Sequence, residues 1–230
     1  MALELGSVPL LQDNEVRLLQ IERFSPTVGL SQDDPDDFVG YEILVDFIEQ
    51  HSLPQLGGDI VEIGVYMGRG TAKLARLAQR YGKKVYAIDI FDPDFDQTMS
   101  RSGVRASDVY RAFLSGRSML EAYQDSIAGL DNVITIIKDS RQVSFPQEQR
   151  FFFGFIDGCH QRQYVENDFY LVWPHLVSGG ALGFHDYKFD DWPEVTQAVE
   201  TLVQRHGSEI SRLYEIEGKY HILSLVVTKK

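Results

Sequence analysis

"VEIGVYMGRG", residues 61–70, places three glycines directly behind an apolar run that carries a single acid, Glu62. The residues before it, "DIVEIG", read as a short buried strand. Those after it, "TAKLARLAQRYG", read as a helix stopped by Gly82. The glycines therefore lie in a strand-to-helix turn. Gly64 lets the chain leave the strand sharply, and Gly68 and Gly70 admit close approach of a ligand or of the sheet. The spacing is Gly-x-x-x-Gly-x-Gly, not the Gly-x-Gly-x-x-Gly of dinucleotide binders, and the absence of Gly-Lys-Ser/Thr excludes a P-loop. A tight turn of this kind can also exist with no ligand at all.

Outward from the turn, strand and helix patterns alternate. Before it, "DDPDDFVGYEILVDFIEQHS" predicts an amphipathic helix with Asp34 as N-cap and Pro35 in its first turn. After it come the strand "KKVYAIDIF", a loop over 92–104, a helical pattern over 105–128 and the strand "NVITIIKD". "SRQVSFPQEQ" is a short connection with a helical turn, followed by the strand "RFFFGFID". "QRQYVENDFYLVWPHLV" is helical, with Pro174 disturbing its last turn, and "SGG" then turns the chain into the strand "ALGFHDY". Pro193 opens a helix to about His206, and two final strands flank Glu217–Gly218 as an antiparallel hairpin. The order predicts an α/β fold, a mostly parallel seven-stranded sheet with a C-terminal antiparallel hairpin and helices on both faces. Residues 1–34 are expected to form an N-terminal extension, a lid or acceptor wall, and 35–230 the main domain.

Composition narrows the function. The 230 residues are 43% hydrophobic, enough for one domain with a sizeable core. The net charge of −12, with no basic cluster, argues against a nucleic-acid partner. No apolar stretch is long enough to span a bilayer, and the N-terminus does not read as a secretory signal. Cys159 is the lone cysteine, which fits a reducing, cytoplasmic location.

The strand ends carry the chemistry. Asp89 closes the second strand, where a carboxylate can accept both hydroxyls of a ribose or close a turn. Asp139 and Ser140 close the third, placed to contact an adenine amino group or to cap the next turn. "FIDGCH" and "GFHDY" bring Asp157, His160, His185 and Asp186 to neighbouring strand ends, a plausible set for a divalent ion, or simply satisfied strand ends. Phe95, Met99, Tyr110 and Phe113 are candidates for a pocket wall, with ordinary packing as the alternative.

Taken in register, "EIGVYMGRG", "AIDIF", "IIKDS", "FIDGCH" and "LVSGGALGFHDY" resemble the class I S-adenosylmethionine-dependent methyltransferases over roughly residues 35–228. The resemblance implies that Glu62 meets the methionine end of the cofactor or orders the loop that does, and that Asp89 holds the ribose. It extends the cofactor side to Gly64, Tyr66, Met67, Gly68, Thr71, Asp139, Ser140 and Asp157. The later motifs are similar to those of the macrocin and mycinamicin sugar O-methyltransferases and of the cephalosporin hydroxylase-like group. That similarity implies Asp157 and Asp186 as ligands of Mg²⁺ or another divalent metal, with His160, neutral at working pH, as the base. Position 185 is an acid in the sugar enzymes and histidine here, so His185 joins the metal candidates in a mixed shell.

The expectation is an S-adenosylmethionine-dependent O-methyltransferase acting on a small hydroxylated acceptor, a sugar or natural product, with a divalent metal assisting. The alternatives are a metal-independent methyltransferase and a non-catalytic S-adenosylmethionine-binding protein of the same fold. A nicotinamide oxidoreductase is disfavoured by the glycine spacing. Neither a membrane nor a nucleic acid is an expected partner, and a homo-oligomer is left open.

Overall fold

The computed structural model describes residues 7–8, 19–31 and 33–230. Two strands come from the N-terminal segment, β1 (Ser7–Val8) and β2 (Leu19–Arg23). Helix α1 (Tyr41–Gln50) leads to β3 (Asp59–Ile63), α2 (Arg69–Arg80) and β4 (Val85–Asp89). Helices α3 (Ala106–Leu114) and α4 (Met119–Ser126) precede β5 (Val133–Ile137) and β6 (Phe151–Ile156). Helix α5 (Arg162–Val172), β7 (Leu176–Tyr187), α6 (Pro193–His206), β8 (Ile210–Glu217) and β9 (Leu223–Lys229) complete the chain.

The strands form one sheet in the order β1-β2-β8-β9-β7-β6-β3-β4-β5. Strands β3 to β7 run parallel to one another, and β9 runs antiparallel to both β7 and β8. The chain winds outward from β3 through β4 to β5, then returns to β6 on the other side. This reversal opens a crevice at the carboxyl ends of β3 and β6, where ligands bind in such sheets. The seven expected strands are all present, with β1 and β2 added at the far edge.

The N-terminal segment, expected as an extension, contributes strands to the sheet edge. Leu19 and Ile21 are buried, and β2 pairs parallel with β8. Apolar residues at alternate positions of a five-residue run suit an edge strand, but the run is too short to show a period by itself. Within residues 1–34, residues 7–8 and 19–23 thus extend the sheet, while residues 1–6, 9–18 and 32 lie outside the described residues. No helix among the described residues is long and apolar enough to cross a membrane.

Three local expectations are corrected. The first helix starts at Tyr41, not at Pro35, because Gly40 takes φ +88° and Asp37 receives the free amides. Its carboxylate accepts from the backbone N–H of Val39, Gly40 and Tyr41 at 3.0, 2.8 and 3.0 Å. Asp34 instead pairs with Arg69 and Lys73. The helical stretch over 105–128 is broken at Ser115 (φ +51°) and Gly116 (φ +81°). "SGG" lies inside β7 as a bulge: β6 advances from Phe151 to Phe153 while β7 advances from Leu176 to Ala181.

Burial on both faces anchors β6. Phe151, Phe152, Phe153 and Phe155 are fully buried. Each such ring stabilises the fold by about 1.5–3 kcal/mol. The floor of the crevice therefore stands on a rigid central strand.

Candidate functional site

The glycine turn is shaped by the protein's own close contacts. At Gly64 (φ +80°) a Cβ would sit 2.1 Å from the carbonyl oxygen of Asp157, where β3 and β6 diverge. Gly68 caps α2 at φ +76°, and a Cβ there would meet the Tyr123 ring at 2.7 Å. At Gly70 it would enter the Tyr41 ring. Gly68 and Gly70 thus admit aromatic side chains of α4 and α1.

Glu62 lies under this turn, fully buried. It accepts hydrogen bonds from the hydroxyls of Tyr41 and Thr71, each at 2.6 Å. Burial pushes its pKa up to about 7, against the two donated bonds. Glu62, Met67, Gly68 and Thr71 do not line the cavity above; Gly64 and Tyr66 do. Glu62 therefore acts on the turn from below.

The cavity has a volume of about 530 Å³ and spans the carboxyl ends of β3 to β7. Asp89 lies on one wall. Its Oδ2 accepts from the amides of Val65 (2.8 Å) and Tyr66 (3.1 Å), and its Oδ1 from the amide of Phe91 (2.7 Å). A carboxylate has about four lone-pair sites, so the three amides orient Asp89 without exhausting it. Asp139 and Ser140 follow on the same side of the cavity. Asp139 also caps the 3₁₀ turn over 140–142, accepting from the amide of Arg141 at 2.9 Å.

On the other side, four predicted residues converge with one that the spacing did not reveal. His160 Nδ1 lies 2.6 Å from Asp96 Oδ2, and His160 Nε2 lies 3.1 Å from Asp186 Oδ2. Asp96 also accepts from the His160 amide at 3.0 Å and the Thr98 amide at 2.9 Å. His185 Nδ1 is 3.0 Å from Asp157 Oδ1 and 3.4 Å from Asp186 Oδ1. Trp192 stacks on His160 with ring centroids 4.3 Å apart, and the Tyr110 ring lies near-parallel to it at 6.4 Å.

Charge in this cluster is unevenly held. Burial works against a charged His160, yet the carboxylates of Asp186 and Asp96 outweigh it and raise its pKa to about 9. The expectation of a neutral imidazole at working pH is thereby corrected: two flanking carboxylates favour the imidazolium. Burial also opposes the charge on Asp186, but His185 and His160 hold its carboxyl well below the usual range. Burial raises Asp157, against the pull of His185. Cys159 is pushed up to about 12 by burial, so its thiol stays protonated and is a poor nucleophile.

Asp157, His185 and Asp186 each offer a donor atom within 4.8 Å of the others. His185 Nε2 is buried with no hydrogen-bond partner, an open donor or acceptor in a polar cluster. Two carboxylates and an imidazole fit a divalent ion of mixed nitrogen–oxygen preference better than the all-oxygen shell of Mg²⁺.

Phe95, Tyr110 and Phe113 line the cavity as expected, whereas Met99 points to solvent. Among the lining residues that sequence spacing missed, Asp96, Asp168 and Trp192 stand out. Asp96 is one of three acids at alternate positions in "DPDFD", which nothing local distinguishes. Asp168 sits within α5 as an apparent helix-face acid; burial there pushes its pKa up to about 6.

Comparison with known proteins identifies the family and the fold. The profile of a family described as a methyltransferase domain matches residues 61–187. An uncharacterized protein of Acanthamoeba polyphaga mimivirus is 39% identical over 69 residues, 29% of this chain; the match spans only 31% of that relative's length. Among solved structures, the O-methyltransferase NovP aligns with a TM-score of 0.59 at 16% identity, over 83% of this chain and 79% of its own. CalS11, a TDP-rhamnose 3'-O-methyltransferase of calicheamicin biosynthesis, gives 0.56 at 15%, over 85% and 80%. TomG of Streptomyces achromogenes, an O-methyltransferase of tomaymycin synthesis solved with S-adenosylmethionine, gives 0.55 at 13%, over 87% and 82%. At these identities the structural likeness speaks for the fold.

Proposed function

The chain belongs to the methyltransferase-domain family, of the class I S-adenosylmethionine-dependent type, and on that premise we propose that it methylates a hydroxyl oxygen of a small molecule. The observation that carries the reading is the single cavity wall-to-wall between Asp89 and the Asp96–His160 pair. One side offers a held carboxylate for a ribose; the other offers an imidazole and carboxylates for a reacting hydroxyl.

S-adenosylmethionine supplies a sulfonium-bound methyl group already activated for transfer, so the protein's task is to align an acceptor oxygen and remove its proton. Asp89, Asp139 and Ser140 bind the nucleoside end. Gly64 leaves its backbone open to the methionine end, and Glu62 fixes that turn through Thr71 and Tyr41. In the transfer the acceptor oxygen would bond the methyl carbon as the carbon–sulfur bond breaks with its pair left on sulfur, and the hydroxyl proton would pass to Nε2 of the neutral form of His160. Asp96 holds the ring through Nδ1 and stabilises the imidazolium that results.

Asp157, Asp186 and His185 would hold a divalent ion, whose charge would lower the pKa of a nearby hydroxyl. The acceptor is a small molecule, and neither nucleic acid nor membrane is a proposed partner. Calorimetry with S-adenosylhomocysteine, followed by methyl-transfer assays of His160→Ala, tests the reading. A His160→Ala protein with full activity would remove the base from the account.

A further inference from the structure

The acceptor half of the cavity is acidic and aromatic. Asp92, Asp96, Asp157, Asp186 and Asp191 all face it, while Lys138 is the one lysine or arginine among its described lining residues. A field of that sign disfavours phosphates and carboxylates on the acceptor. The polar side chains around the mouth are also engaged by their own loop. Asp191 Oδ1 accepts from the Ser102 amide at 3.0 Å, and the hydroxyls of Ser100 and Ser102 lie 2.8 Å apart. Asp96 is saturated by His160 and Thr98. Ser100, Ser102, Asp191 and Asp96 are thereby committed to the protein's own contacts rather than to the hydroxyls of a sugar ring.

The remaining surface is aromatic. Trp192 and Tyr110 flank His160, and Phe113 and Tyr220 stand at the mouth, 50% and 68% exposed. Phe113 packs on Phe38 with ring centroids 4.5 Å apart. Exposed aromatic rings at the rim of a cavity mark a surface awaiting an apolar ligand. Tyr220 is held in the left-handed region (φ +56°), as is His221 (φ +60°). Residues of that kind persist where the surrounding structure fixes them. Here Lys219 N–H donates to the Val39 carbonyl at 3.0 Å, and Gly218 N–H to that of Ile222 at 2.9 Å.

Resting on the methyltransferase reading above, we propose that the acceptor is an uncharged aromatic molecule bearing a hydroxyl group, its ring gripped by Tyr110, Phe113, Trp192 and Tyr220 and its hydroxyl directed to the Asp157–Asp186 end. Tyr220 and Phe113 set specificity by contact with the ring; they take no part in the chemistry. The bond changes are those of the transfer already given, with a phenolic or aryl-borne oxygen as the nucleophile.

The test separates this proposal from its premise. S-adenosylhomocysteine is first titrated into the wild-type protein; if it does not bind, the methyltransferase reading fails and this proposal with it. With binding established, methyl transfer is assayed by mass spectrometry for catechol and quercetin against methyl glucoside and TDP-rhamnose. Direct binding of the aromatic pair to the S-adenosylhomocysteine complex is measured alongside. The expected result is a preference for the aromatic pair, in turnover or in binding. Tyr220→Ala and Phe113→Ala should each raise the aromatic acceptor's KM or Kd about two- to tenfold, with S-adenosylhomocysteine affinity held within about twofold. Preference for the glucoside or TDP-rhamnose overturns the proposal, as does failure of both aromatic probes to bind or react. Unchanged KM and Kd in both variants overturns the assigned grip.

Discussion

Nδ1 of His160 lies 2.6 Å from Oδ2 of Asp96, and the same oxygen accepts from the His160 amide at 3.0 Å. One carboxylate thus fixes both the backbone and the ring of the residue that faces Asp186. A carboxylate so placed sets the ring's orientation and leaves Nε2 as the titrating edge. Asp96→Asn should lower the His160 pKa from about 9, and reduce the methyl-transfer rate by about 10²-fold or more. An imidazole NMR titration alongside steady-state rates checks both effects.

The pH dependence follows from the same pair. In chelator-treated protein His160 accepts a proton only when neutral, so the rate should rise with pH toward a plateau above about 9. The stability effect has the opposite slope. A folded pKa raised above the ordinary 6.5 means that the folded state binds the proton more tightly. Its contribution is complete below about 6.5 and is lost as pH rises through about 9. Rate profiles of the wild type and His160→Gln, with thermal melts over the same range, test both slopes.

Beneath the glycine turn, Glu62 depends on two hydroxyls. Tyr41→Phe removes one donor from a fully buried carboxylate and should destabilise the fold by about 1–3 kcal/mol. S-adenosylhomocysteine affinity should fall with it, because Thr71 alone then fixes the turn. Denaturant titration and calorimetry measure the two effects.

Gly64 and Gly82 separate two demands on a glycine. Both have positive φ, but a Cβ at Gly82 meets open space while one at Gly64 meets the Asp157 carbonyl. Gly82→Ala should cost about 1–2 kcal/mol, the strain of the left-handed conformation alone. Gly64→Ala should cost more, and should displace the β6 end that carries Asp157. Urea unfolding of the two variants gives the comparison.

The divalent site should favour Mn²⁺ or Co²⁺ over Mg²⁺, because His185 adds nitrogen to two carboxylates. Asp186→Asn should weaken Mn²⁺ binding about tenfold or more. Titration calorimetry of each ion, with and without the substitution, checks the order.

The fold was largely legible because the strand ends carry their signals locally. "DIVEIG" and "RFFFGFID" are short apolar runs, and the helices that follow them, α2 and α5, are amphipathic over ten or more residues. The start of α1 was not, since Asp37 and Gly40 outcompete the nearer Asp34–Pro35 pair through a conformation that only the tertiary contact with Lys219 reveals. Strand β2 was hidden because its pairing partner, β8, lies nearly the whole chain away. In the site, Asp157, His160, His185 and Asp186 were readable from two neighbouring strand ends. Asp96 was not, because a loop brings it to His160 across 64 positions of sequence. The charge state of His160 is hidden for the same reason: the carboxylate on Nδ1, Asp96, reaches the ring only through the fold.

The central claim is that the cavity between Asp89 and His160 binds S-adenosylmethionine. Its most direct test is calorimetric titration of S-adenosylhomocysteine into the purified protein, with NAD as control and Asp89→Ala as the site variant. The account predicts one-site binding of S-adenosylhomocysteine, none of NAD, and at least about tenfold weaker binding in the variant. Folded protein that ignores S-adenosylhomocysteine, or that binds NAD in its place, would contradict the account.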